Sequence, residues 1–87
     1  MMSRIEIGAE YTLAELARLP EDEAVVVLRA EHRPEMVTAW FLGIRMGSLA
    51  FHCDVLNMTL VLFHTADGDI VDGENRRMHV YRYVGEV

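Results

Sequence analysis

From Ala24 onward the chain is dominated by apolar, β-branched and aromatic runs, at Ala24 to Glu31, Met36 to Met46, Leu49 to Val55, Met58 to Thr65 and Met78 to Val84, with turn-forming residues between them. Pairing these runs constrains the fold more than any other feature. Gly47-Ser48 suits a two-residue type II′ turn, which sets Met46 opposite Leu49, Ile44 opposite Phe51, Leu42 opposite Cys53 and Trp40 opposite Val55. A second two-residue turn at Leu56-Asn57 sets Val55 against Met58, Cys53 against Leu60, Phe51 against Leu62 and Leu49 against His64. A four-residue loop, His32 to Glu35, extends the register to Val27 with Trp40 and Val25 with Leu42. One apolar face thus runs across four strands, and a slip of one residue would break it.

The opposite face is also rich in apolar residues: Val26, Leu28, Ala30, Ala39, Phe41, Val61 and Phe63 lie among Gly43, Ala50, His52, Asp54 and Thr59. An antiparallel sheet with one wet face alternates cleanly, and this one does not. The remaining surface must be covered by the sheet curling on itself, by the terminal strand or by a second chain, and a homodimer is the expectation adopted.

Upstream, Ile5 and Ile7 flank Glu6 in a short strand ended by Gly8. Thr12 and Glu15 form a capping box with Tyr11 and Leu16 at the staple positions, predicting a helix of about two turns that begins at Leu13 and stops before Pro20. The fold class expected is α+β: a short N-terminal helix, then a twisted five-stranded antiparallel meander able to close towards a small SH3-like barrel. At 87 residues this is one domain, 1–87, since a chain of that size buries only about 60 to 65% of its unfolded surface.

Composition limits the chemistry. All eight basic residues are arginine, so lysine-dependent Schiff-base and P-loop chemistry is excluded, and a net charge of -6 opposes binding to nucleic acid through phosphate neutralisation. One cysteine, Cys53, allows no intrachain disulfide; with no apolar leader at Met1-Met2-Ser3 and no membrane-length apolar run, a cytoplasmic home is expected.

Candidate sites are few. His32, His52, His64 and His79 with Cys53 and Asp54 lack metal-ligand spacing, so neither a metal nor another cofactor is expected, and the register buries Cys53 between Leu42 and Leu60 as a small core hydrophobe. The acids of Asp67 to Glu74 do not match a calcium loop and read as turn residues. Glu21-Asp22-Glu23 makes a solvated acidic corner with Glu15. On the last strand His79, Tyr81 and Tyr83 share a face, with Arg76, Arg77 and Arg82 nearby, a set able to pack at an interface or grip an anion.

The function expected is therefore a non-enzymatic interaction module that presents a sheet surface to another protein, as a homodimer, in an accessory, regulatory, inhibitory or assembly role of the kind phages and mobile elements also carry. Its candidate contacts are Phe41, His52, Tyr81, Arg82 and Tyr83. The alternative is a small anionic-ligand or nucleotide binder using Arg76, Arg77, His79 and Tyr81. A third reading is acid–base chemistry at His52 with Asp54 or His64 with Asp67.

Overall fold

The computed structural model describes residues 4–20 and 24–86; the acidic corner Glu21-Asp22-Glu23 and the N-terminal Met1-Met2-Ser3 lie outside them. Among these described residues seven strands, β1 (Ile5–Glu10), β2 (Ala24–Ala30), β3 (Met36–Arg45), β4 (Ser48–Cys53), β5 (Met58–His64), β6 (Ile70–Val71) and β7 (Met78–Glu86), join one antiparallel sheet in the order β1-β7-β2-β3-β4-β5-β6. Among the described residues helix is confined to α1 (Leu13–Leu16), a single turn. The expected α+β class, with five strands and an N-terminal helix, is thereby corrected to a nearly all-sheet fold. Chain order explains the two extra strands: β1 hydrogen-bonds to the far side of β7, and β6 is too short to announce itself through alternation.

The capping box is formed as read. The backbone N–H of Thr12 donates to Glu15 Oε1 at 2.9 Å, and that of Glu15 donates to Thr12 Oγ1 at 3.2 Å. Tyr11 and Leu16 both reach the core, so this turn is held by tertiary packing rather than by its own length. The strand before it does not stop at Gly8 but continues to Glu10.

The three hairpin registers differ from the expected ones by two residues each. Met46 and Gly47, with φ of 51° and 82°, form the β3–β4 turn, so Ile44 faces Leu49 and Arg45 faces Ser48. A four-residue turn at Asp54 to Asn57 places Cys53 opposite Met58 and Phe51 opposite Leu60, and β2 meets β3 with Val25 opposite Trp40 and Val27 opposite Thr38. A shift of two leaves every side chain on its own face, so the apolar pattern could not detect it.

A bulge changes more. Between Phe41 and Gly43 the β3–β4 register slips by one residue, with Gly43 at φ 127°, a conformation that glycine tolerates far better than side-chain-bearing residues. Upstream of that point the inward face is inverted. Val26, Leu28, Ala39 and Phe41, expected on the outer face, join Leu49, Phe51, Cys53, Leu62 and Val80 in the core, while Trp40, expected inside, is 37% exposed. The sheet also curls until its ends approach, Val71 of β6 bridging to Arg77 at the entry to β7. Much of the apolar surface expected to need a second chain is therefore enclosed by the sheet itself.

Val27 is fully buried yet lies outside the core cluster, on the outer face between Thr38 and Tyr81. Arg29 lies over the same Tyr81 ring at 6.0 Å, its aliphatic stem and planar head adding cover on that side.

Candidate functional surfaces

The last strand and its neighbours form a polar string on the outer face. His79 Nδ1 lies 2.9 Å from Glu10 Oε2 on β1, and its Nε2 lies 3.5 Å from Glu31 Oε1 just after β2. Its ring stacks on Tyr81 with centroids 6.1 Å apart, and Arg29 Nη2 donates to the Tyr81 hydroxyl at 3.2 Å. Arg77 continues the string, with Nη2 2.9 Å from Asp69 Oδ1 and Nη1 3.8 Å from Glu31 Oε1.

The structure therefore brings His79, Tyr81 and Arg77 together but supplies them with partners from the same chain. Arg76 is similarly engaged, with Asp72 at 3.1 Å and Glu74 at 3.4 Å. A groove of about 450 Å³ does open beside Arg77, between Glu10–Ala14 and Asp67–Ile70, yet Glu10, Asp67 and Asp69 line it as well. Three carboxylates against one guanidinium disfavour the anion that the sequence reading assigned there. Arg29, Glu10, Glu31 and Asp69 were missed by that reading. The signal available was the ratio of fourteen acids to eight arginines, which makes a carboxylate neighbour the ordinary fate of a surface arginine.

The other candidates are dispersed. Arg82 lies on the opposite side of β7, its guanidinium 5.8 Å from the Tyr11 ring, and Tyr83 is half-buried opposite Ile7 of β1. Phe41 is 1% exposed and stacks in a tilted pair with Phe51, so it offers no surface to a partner; the bulge that turned it inward is the reason. Cys53 is buried as expected, and desolvation, with the Asp54 charge added, pushes its thiol pKa up. Among the described residues no group of three or more His, Cys, Asp or Glu side chains could hold a metal ion, and no helix is long and apolar enough to cross a membrane.

A second constellation lies on the outer face of β3 to β5. Asp54 accepts from Trp40 Nε1 at 3.2 Å through Oδ2 and sits 3.1 Å from His52 Nε2 through Oδ1. The histidine and carboxylate are thus within reach of each other, but on an open sheet surface where solvent screens them. His64, by contrast, contacts the Thr65 carbonyl next to it. Beyond His52 the same face carries Ala50 opposite Val61 and Ser48 opposite Phe63, with Val61 47% and Phe63 41% exposed.

Comparison with protein-family models, curated proteins and solved structures finds no match to this chain.

Proposed function

We propose that this chain is a non-enzymatic interaction module that works as a homodimer, presenting the outer face of β3 to β5. The observation that carries the reading is the exposure of Trp40, Val61 and Phe63 on one face of three paired strands. A fixed indole beside exposed apolar side chains is the composition of a binding hot spot.

Charge points to a second copy as the occupant. The chain carries -6 overall, so two copies repel over most of their surfaces. Among the described residues Asp54 faces His52 and Trp40, and the cross-strand rows His52–Thr59, Ala50–Val61 and Ser48–Phe63 contain no acid. Two copies can stack along these three rows without setting carboxylate against carboxylate there.

Light scattering at micromolar concentration tests this. The wild type should have the mass of a dimer and Phe63→Asp that of a folded monomer. A wild-type mass that stays monomeric as concentration rises overturns the reading.

A further inference from the structure

The hydrogen-bonding edge of β5 raises a question separate from its outer face. β5 pairs with β4 from Met58 to Phe63, but on its other side it meets β6 only at Phe63 and His64. Backbone alternation fixes which groups are left. A two-residue hairpin closes on a pair that exchanges both hydrogen bonds, so Arg45 and Ser48 bond to each other. Alternating along β4, the even residues then face β3 and Leu49, Phe51 and Cys53 face β5, where they meet Leu62, Leu60 and Met58. The N–H and C=O groups of Thr59 and Val61 consequently point away from β4, and no strand pairs with them among the described residues.

This edge borders a groove of about 500 Å³. One wall is Leu60 to Leu62; the other includes Met78, His32, Arg33 and the turn from Asp72 to Arg76. Natural sheets guard such edges with charge or proline, as Glu6 and Glu10 do on β1, whereas β5 reads Met-Thr-Leu-Val-Leu-Phe-His with neither. Of the two arginines lining the groove, Arg76 faces Asp72 and Glu74, and Arg33 is exposed with no ion pair among the described residues.

We propose that the free edge of β5 binds an extended acidic peptide segment of another protein as an added strand, its backbone hydrogen-bonded to Thr59 and Val61 and a carboxylate held by Arg33. Backbone pairing supplies the affinity, apolar side chains at alternate peptide positions pack on Leu60 and Met78, and Arg33 selects for acid. A second copy of β5 fits less well, because it brings no carboxylate to Arg33.

The probe is a fluorescein-labelled peptide of alternating valine and threonine with a glutamate at each end, compared with its lysine-ended counterpart by anisotropy titration. The glutamate peptide should bind about tenfold more tightly, the worth of one charge-assisted hydrogen bond, and Arg33→Glu should reverse the preference. Amide exchange at Thr59 and Val61 should slow when the peptide is added. Val61→Pro, which removes an outward N–H at an edge position where proline is tolerated, should keep the folded spectrum and lose the peptide. Three results each overturn the proposal: no binding of the glutamate peptide, binding with exchange at Thr59 and Val61 unchanged, or, in the Phe63→Asp variant, protection of those amides that rises with protein concentration in the absence of peptide. None of them depends on whether Phe63→Asp alters the mass of the protein.

Discussion

Phe41 and Phe51 face each other across β3 and β4 with ring centroids 5.5 Å apart, and they do so because the chain inserts one extra residue at Leu42–Gly43. Without that bulge Phe41 would point to solvent and Trp40 to the core. Gly43→Ala should therefore cost more than about 1 kcal/mol, since φ near 127° is strained for any residue with a Cβ. Gly73→Ala is the control: beyond its own chain neighbours nothing lies within 4 Å of the Cβ it would add, and the change should stay within about 0.5 kcal/mol of wild type. Urea denaturation of both variants measures the difference, and equal midpoints would remove the bulge from the explanation.

Met46 is fully exposed and sits at φ 51°, the first central position of a turn that requires positive φ at both residues. Met46→Asn should stabilise the protein by about 0.5 to 1 kcal/mol, because asparagine tolerates this conformation and methionine does not. Asn57, at φ 48° in the next turn, predicts the converse, and Asn57→Ala should destabilise by about the same amount. Thermal unfolding of the two variants should move in opposite directions.

Asp72 ties the β6–β7 turn together, accepting from the backbone N–H groups of Arg76 and Glu74, each at 2.9 Å, and from Arg76 Nε at 3.1 Å. The backbone N–H of Arg76 holds its carboxyl below the usual carboxylate range; desolvation acts the other way, and the N–H of Glu74 and the Arg76 guanidinium outweigh it. A folded-state pKa lowered below the unfolded one gives stability that is full above the unfolded value and is lost as pH falls through the folded value. Asp72→Asn should thus be less stable than wild type at neutral pH. The gap should narrow as the pH drops below the ordinary aspartate range, and a gap constant from neutral to acid pH would contradict the assignment.

Cys53 is fully buried and its thiol is pushed towards the protonated form, first by desolvation and then by the Asp54 charge. A chromogenic disulfide reagent should leave native protein unlabelled at neutral pH and react promptly once denaturant is added, because the thiolate is the nucleophile and here it is neither formed nor accessible. Rapid labelling of the native protein would place this thiol outside the core.

Local chemistry makes several features legible in the sequence. Thr12 and Glu15 lie three residues apart and need nothing distant to cap each other, and the five longer strands after Ala24 begin and end within two residues of where alternation places them. Leu49, Phe51, Cys53 and Leu62 lie in the core, where alternation along β4 and β5 places them. The binding candidates fared differently: whether an arginine is free or paired depends on residues such as Glu31 and Asp69, which are remote in sequence from part of the site they complete.

The sequence by itself determined strand positions and the apolar face of β4 and β5, since a period of two is written along a single chain. Tertiary structure decided the registers, the use of β1 and β6, and which face of β2 and β3 turns inward. A shift of two residues between neighbours keeps every side chain on its own side and leaves no trace in the pattern, whereas the single extra residue at Leu42–Gly43 inverts everything upstream of it.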